Sequence, residues 1–164
     1  MDILIFVILG TQDKKFSRLL DAIQNQIDLG HINKKEKIIV QAGSTKYKSK
    51  DMEIKDYIGV DEFEELIEQA DLIICHAGVG TILTALKKGK KIIAAARLKE
   101  YGEHVNDHQL QILENFSNKG YLLSLDDFDK LDLVIKQSEN FTPANFKSNK
   151  NFFIKQLEME INIL

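Results

Sequence analysis

The chain has 164 residues, which is enough for one domain with a sizeable core and too few for two. Its 22 basic and 25 acidic side chains give a net charge of −3. The chain therefore lacks the overall positive charge that would attract nucleic acid. A single cysteine, Cys75, excludes an internal disulfide framework.

The sequence offers no membrane-spanning candidate, since no run approaches the roughly 20 apolar residues that a bilayer requires. The apolar run at residues 3–9 lacks the basic region and the cleavage site of a signal peptide. It is instead typical of a buried strand. We therefore expect a cytoplasmic protein that reaches a membrane only by way of a partner.

Short apolar runs alternate with segments of helical period. Strands are predicted at residues 3–9, 37–41, 72–75, 91–96 and 121–125, with a weaker signal at 53–58. Helices are predicted around residues 16–27, from Asp61 with a capping box to Glu64, at 81–88, at 107–119, and from Asp126 to about 136. This order predicts an α/β, Rossmann-like, doubly wound and mostly parallel sheet in residues 1–137.

Residues 138–164 are expected to lie outside this domain. Residues 138–150 contain the only proline and predict a linker loop. Phe153, Leu157 and Ile161 follow at four-residue spacing, which predicts an amphipathic C-terminal helix. Such a helix would pack on the domain or on a partner.

A glycine-rich bend follows the strand at residues 72–75. In its sequence HAGVGT, residues 76–81, Gly78 and Gly80 remove side chains where the chain enters a helix predicted to begin near Thr81. The N–H groups and the positive dipole of a helix N-terminus suit a diphosphate. On the glycines alone, a tight turn that binds nothing is equally compatible with the pattern. His76 is likewise compatible with a ligand contact or with a structural role.

The loop after the strand at 91–96 favours a binding site. Six of its side chains can hydrogen-bond a sugar: Glu103, His104, Asn106, Asp107, His108 and Gln109. Helix capping accounts for only one of them. Arg97 adds a cation beside the predicted phosphate site. A metal site at His104 and His108 lacks an obvious third ligand, so no metal is predicted.

Two other classes of enzyme are disfavoured. A dinucleotide-binding dehydrogenase would carry G-x-G-x-x-G after the first strand, where this chain has GTQDKK. A nucleophilic hydrolase would carry a serine at a G-x-S-x-G turn, and HAGVGT has none.

Three segments resemble a known family. FVILGTQDKKFSRLL at residues 6–20, DLIICHAGVGTILTALKKGKKII at 71–93 and GEHVNDHQLQI at 102–112 are similar, in order, to motifs of bacterial exopolysaccharide transferase subunits of PssE and EpsF type. More distantly, the chain resembles MurG and the catalytic subunit of the eukaryotic dolichol-linked N-acetylglucosaminyltransferase. The resemblance implies the C-terminal, donor-binding half of a GT-B glycosyltransferase of family 28.

The resemblance further implies one subunit of an inverting enzyme of exopolysaccharide or capsule synthesis. The donor would be a UDP-sugar, with galactose as the first choice, and no cofactor or metal would be needed. The acceptor would be a polyprenyl-diphosphate-linked sugar. A membrane-associated subunit of PssD type would bind that acceptor and recruit this chain to the inner face of the plasma membrane. Because no residue of this chain is an obvious general base for the acceptor hydroxyl, we expect that subunit to supply it. The alternative is a non-catalytic activator of a membrane transferase.

Site residues follow from the same resemblance. Diphosphate contacts are expected from the bend, at Gly78, Val79, Gly80 and Thr81. Arg97 is added to them because of its place at the end of the strand at 91–96, not from the resemblance. Donor-sugar contacts are expected from, or shaped by, the polar loop: Glu103, Asn106, Asp107, His108 and Gln109. The cleft would be lined by Gly10, Thr11 and His76. Nucleoside contacts are expected at Val60 and at Thr84, which stands where MurG-like proteins place a ribose-binding glutamate.

Overall fold

A single parallel sheet forms the centre of the molecule, seen in a computed structural model that describes residues 2–147 and residue 155. Its strands are β1 (Leu4–Ile8), β2 (Lys37–Gln41), β3 (Glu53–Lys55), β4 (Leu72–His76), β5 (Ile92–Ala95) and β6 (Leu123–Ser124). They lie in the order β3-β2-β1-β4-β5-β6, and every neighbouring pair is parallel. The predicted Rossmann-like α/β fold is therefore confirmed.

Helices cover both faces of this sheet. They are α1 (Ser17–Asp28), α2 (Val60–Gln69), α3 (Val79–Lys87), α4 (His108–Asn118) and α5 (Leu131–Glu139), with short 3₁₀ helices at Lys99–Tyr101 and Phe128–Lys130. In the described part of the chain, no helix combines the length and the hydropathy needed to cross a membrane.

The core has two layers, one on each face of the sheet. Phe6 and Ile8 of β1 point into the layer under α2, α3 and α4, whereas Ile5 and Val7 point into the layer under α1 and α5. Because both faces are covered, the strands are continuous apolar runs rather than alternating ones. Cys75 lies in the first layer, and its burial raises the pKa of its thiol to about 12.

Three predicted helix starts are wrong. The N-cap of α2 is Gly59, so Asp61 and Glu64 lie inside the helix and form no capping box. Helix α3 begins at Val79, two residues before the expected Thr81. The carboxylate that caps the 3₁₀ turn before α5 is Asp127, which accepts a hydrogen bond from the Asp129 N–H, while Asp126 accepts one from the Ser124 hydroxyl.

The described part of the C-terminal segment folds back on the domain. Residues 141–147 have no regular secondary structure. The Ala144 N–H donates to the Gly120 carbonyl at 2.9 Å, and the Phe146 ring packs edge-on against Tyr121 with centroids 5.4 Å apart. The predicted C-terminal helix with Phe153, Leu157 and Ile161 lies outside the described residues.

The strand order places a crevice between β1 and β4. From this point the chain winds toward β2 and β3 on one side and toward β5 and β6 on the other. The loops that follow β1 and β4 therefore diverge at the carboxyl edge of the sheet, which is where open parallel sheets bind their ligands.

Candidate functional site

A cavity of about 520 Å³ opens at this crevice, large enough for a small-molecule ligand. Three loops, the carboxyl ends of β2 and β4, and helices α2 and α3 enclose it. Its lining residues are Gly10, Thr11, Gln12, Gln41, Tyr57, Ile58, Val60, Phe63, Glu64, His76, Gly78, Gly80, Thr81 and Thr84. The structure thus brings eight of the predicted site residues together around one cavity: Gly10, Thr11, Val60, His76, Gly78, Gly80, Thr81 and Thr84.

The segment between β3 and α2 is the part of the wall that sequence reasoning missed, apart from Val60. It is held by Gln41 at the end of β2, whose side-chain oxygen accepts a hydrogen bond from the Ile58 N–H at 3.0 Å. Tyr57 and Val60 are 63% and 75% exposed beside the cavity.

His76 forms the floor of the cavity, between two glycines. A Cβ atom on Gly10 would lie 2.8 Å from the ring, and one on Gly78 would lie 2.2 Å from its Cε1 atom. Real Cβ atoms do not approach that closely, so neither position accepts a side chain while the ring stays in place. Gly10 also has φ of +84°, which glycine adopts readily.

Hydrogen bonds fix the tautomer of His76. The side-chain oxygen of Gln109 accepts from the Arg97 backbone N–H at 3.0 Å, so its amide nitrogen is the group that faces His76 Nδ1 at 3.4 Å. Nδ1 must then accept, which places the proton of a neutral imidazole on Nε2. Nε2 lies 3.5 Å from the Thr81 hydroxyl, at the cavity wall.

His76 remains neutral over the physiological range. Burial, together with the positive charge of Arg97 and the neighbouring His104, lowers its pKa to about 3. The ring therefore offers the cavity an uncharged N–H donor and cannot act as a general base there at neutral pH.

This pKa predicts how stability changes in acid. Between about pH 6.5 and pH 3, the unfolded chain binds a proton at His76 that the folded chain does not. The contribution of His76 to stability is therefore complete above pH 6.5 and is lost as the pH falls towards 3, at up to about 1.4 kcal/mol per pH unit. Urea unfolding at pH 7, 6 and 5 should give a shallower decline for His76→Gln than for the wild type. Parallel declines would contradict the assigned pKa.

The N-terminus of α3 borders the cavity beside this ring. The first hydrogen bond of the helix runs from the Ile82 N–H to the Gly78 carbonyl at 3.1 Å. The N–H groups of Gly80 and Thr81 precede that bond and have no acceptor within the helix. No atom lies within 4 Å of a Cβ built on Gly80, so this glycine faces open space. By contrast, the Val79 side chain is fully buried in the core.

Arg97 does not stand where the sequence placed it. Its guanidinium is fully buried and donates to the backbone carbonyls of Leu9, Lys14 and Glu103, the Lys14 bond being 2.8 Å and the Glu103 bond 3.2 Å. The expectation of a direct diphosphate contact is corrected: Arg97 ties the loop after β1 to the loop after β5. Burial lowers its pKa to about 10, so it stays charged and adds positive potential behind His76.

In the polar loop, Glu103, Asn106 and Asp107 form hydrogen bonds within the protein. Both oxygens of the buried Glu103 accept hydrogen bonds from the Arg18 guanidinium, at 2.8 and 3.0 Å, and one also accepts from the Leu98 N–H. Asn106 accepts from the His108 N–H, and Asp107 from the Lys99 N–H. The expectation of a sugar contact is therefore corrected for Glu103, which anchors the loop to α1.

The same correction applies to Gln109, which is 2% exposed behind His76. Asp107 and His108 remain at least partly exposed on the loop, although His108 Nδ1 is enclosed and has no hydrogen-bond partner among the described residues. Neither of these two side chains is among the described residues that line the cavity.

His104 and Gln12 form a contact that the sequence did not predict. Their side-chain nitrogens are 3.1 Å apart, which joins the loop after β5 to the loop after β1 at the edge of the cavity. His104 Nδ1 accepts from the Asn106 N–H at 3.3 Å. Within residues 2–147 and residue 155, no three His, Cys, Asp or Glu side chains are arranged to hold a metal ion.

Replacing Gln109 by alanine should weaken nucleotide binding through His76. The substitution removes the amide that holds His76 in its Nε2–H form, so we expect the affinity for UDP alone to fall about tenfold. Titration calorimetry with UDP measures this. Asp107→Ala is the comparison, because Asp107 lies on the same loop without touching His76. Unchanged UDP affinity in Gln109→Ala would contradict the tautomer argument.

Comparisons with known proteins agree with this geometry. The family model described as glycosyltransferase family 28 C-terminal domain matches residues 4–161. The chain is 29% identical over 116 residues to UDP-N-acetylglucosamine transferase subunit ALG13 of Candida albicans, covering 71% of this chain and 36% of that protein. It is also 29% identical over 129 residues to the human subunit ALG13, covering 72% of this chain and 10% of the relative. The chain thus spans about a third or less of these relatives.

Solved structures show the same fold. The solution structure of ALG13 superposes with a TM-score of 0.59 at 19% identity, covering 98% of this chain and 97% of that one. MurG of Acinetobacter baumannii gives a TM-score of 0.58 at 17% identity, covering 85% of this chain and 42% of MurG.

The sheet order and the cavity at its switch point define a Rossmann-like domain of the kind that forms the C-terminal half of GT-B glycosyltransferases. The match over residues 4–161 is more specific: the chain belongs to the glycosyltransferase family 28 C-terminal domain family.

Proposed function

We propose that this chain is the donor-binding subunit of a two-subunit, inverting glycosyltransferase that takes a UDP-sugar. The observation that carries the proposal is the neutral His76 Nε2–H donor, held between two glycines beside the open N-terminus of α3. The names of its relatives, UDP-N-acetylglucosamine transferase subunits, support the choice of nucleotide and the role as a subunit.

The cavity suits a diphosphate leaving group without a metal or a salt bridge. Among the described residues that line it there is no lysine or arginine. Negative charge that develops on the leaving diphosphate would be stabilised by the N–H groups of Gly80 and Thr81, the dipole of α3 and the Nε2–H of His76. Arg97 would add its charge from behind the ring.

Transfer also needs a base that takes the proton of the acceptor hydroxyl on the opposite face of the sugar. His76 cannot do so because its pKa is about 3. The proposal therefore assigns the base to a membrane-associated acceptor-binding subunit of PssD type. That subunit would hold a polyprenyl-diphosphate-linked sugar and recruit this cytoplasmic chain to the inner face of the plasma membrane. The C-terminal residues 150–164 are the proposed docking segment.

Exopolysaccharide or capsule synthesis is the proposed setting. Galactose remains our prediction for the donor sugar, and the names of the relatives make UDP-N-acetylglucosamine the donor to compare with it. The experiment is turnover of both UDP-sugars on a lipid-linked acceptor by the co-expressed pair. We expect transfer from one donor by the pair and none by either subunit alone. Robust transfer by the purified chain alone would overturn the two-subunit arrangement.

The rival is a non-catalytic activator that binds no donor. Titration calorimetry of the purified chain with UDP separates the two: saturable one-to-one binding is expected for a donor subunit. A pair that transfers sugar while this chain neither binds UDP nor loses activity on Gly80→Val would favour the activator.

A further inference from the structure

One carboxylate stands on the wall of the cavity. Of the described lining residues, Glu64 is the sole acidic one. It lies on α2, four residues after Val60 and one residue after Phe63. All three residues line the cavity, so they form the cavity-facing side of this helix. The Glu64 side chain is exposed, and no hydrogen bond or ion pair joins it to another described residue.

The position of this face is fixed by the core. Leu66, Ile67 and Ala70 are buried against the sheet, and the Phe63 ring packs edge-on against Phe6 of β1 with centroids 5.4 Å apart. Glu64 is therefore held at the cavity by the packing of its helix, although its carboxylate has no partner within the protein.

Thr84 lines the same cavity as Glu64, but from α3. It follows Gly80 by one helical turn, a rise of about 6 Å from the phosphate end of the cavity. Its hydroxyl donates to the Gly80 carbonyl at 2.8 Å, which leaves its oxygen able to accept from a ligand. The cavity thus presents N–H donors from the first turn of α3, an acceptor from Thr84 one turn further along that helix, and the carboxylate of Glu64 from α2.

Charge decides what Glu64 can meet. A carboxylate repels a diphosphate, whereas it accepts hydrogen bonds from hydroxyl groups with the strength of a charged acceptor. In a nucleoside diphosphate, the group next to the phosphates is a sugar with a vicinal pair of hydroxyls. We propose that Glu64 binds the ribose 2′,3′-diol of the nucleotide and selects ribonucleotides over 2′-deoxyribonucleotides. This inference rests on the proposed nucleotide site.

The test compares UDP with 2′-deoxy-UDP by titration calorimetry on the full chain. The wild type should bind UDP at least about tenfold more tightly than 2′-deoxy-UDP, since a hydrogen bond to a charged acceptor is lost in the second. Glu64→Ala should weaken UDP binding by about the same factor and leave 2′-deoxy-UDP within twofold, so the preference disappears. Alanine at this exposed helical position keeps the helix intact.

Glu65→Ala is the matched control, because Glu65 is the next residue of α2, does not line the cavity, and accepts a hydrogen bond from Gln69. It should leave both affinities unchanged. A wild type that binds UDP and 2′-deoxy-UDP equally, or a Glu64→Ala variant that keeps the preference, overturns the role of Glu64 alone. A wild type that binds neither nucleotide overturns the proposed function itself.

Discussion

Replacing Gly80 by valine is expected to lower turnover of the UDP-sugar by at least about a hundredfold, a loss comparable to that of an oxyanion-type stabiliser. Gly80 faces open space in the first turn of α3, so the added side chain would occupy the volume that a diphosphate must enter. Valine is also a better helix former than glycine, so the fold should be unaffected or slightly stabilised.

The melting temperature is the control for this variant. We expect it to stay equal or rise while UDP affinity falls, and Gly80→Ala should show a smaller loss of affinity in the same direction. Full activity in a folded Gly80→Val protein would show that no ligand approaches this turn.

Replacing Arg97 by methionine is expected to cost stability rather than affinity alone, by about 3 kcal/mol or more in the free energy of unfolding. The substitution removes the donors for the carbonyls of Leu9, Lys14 and Glu103, all of them near the core. The free energy of unfolding of Arg97→Lys should lie between those of the wild type and of Arg97→Met, because one ammonium group cannot reach three carbonyls in different loops. Urea unfolding at pH 7 measures the effect.

Arg18→Met is the matched control. Arg18 binds both side-chain oxygens of Glu103, which is 3% exposed. Arg18→Met therefore leaves a buried carboxylate with the Leu98 N–H and should also cost about 3 kcal/mol, without touching the bonds of Arg97. A stable Arg97→Met protein that no longer binds UDP would restore the direct phosphate contact predicted from the sequence.

The sheet was predictable because its residues are buried on both faces. Runs such as residues 37–41 and 72–75 do not alternate between apolar and polar residues. Such continuous apolar runs are typical of parallel strands that are covered on both faces. Helix starts were less predictable. Asp61 and Glu64 match a capping box, yet the loop anchored by Gln41 on the Ile58 N–H leads into a helix that begins at Val60.

The bend was located correctly from its glycines, but their roles differ. Gly80 leaves the cavity open, whereas Gly78 makes room for the ring of His76. The second role depends on how closely a side chain two residues away approaches the backbone. Sequence spacing contains no such distance, and so it could not distinguish the two glycines.

The polar loop was over-interpreted for a related reason. The hydrogen-bonding groups at residues 103–109 predict ligand contacts because helix capping explains only one of them. In the structure, Glu103 binds Arg18, Gln109 bridges Arg97 and His76, and Asn106 and Asp107 bind backbone N–H groups. Arg18 lies 85 residues from Glu103, so this pairing becomes visible only in the fold.

We propose that a nucleoside diphosphate binds in the cavity between α2 and α3, with its phosphates against His76 and the first turn of α3. An NMR titration of the ¹⁵N-labelled chain with UDP tests it most directly. We expect saturable shifts that are largest for the amides of Gly78, Gly80, Thr81 and Thr84, with the His76 Nε2 resonance shifting at the same UDP concentrations. Saturable shifts confined to residues away from this cavity, or no shifts at millimolar UDP, would contradict it.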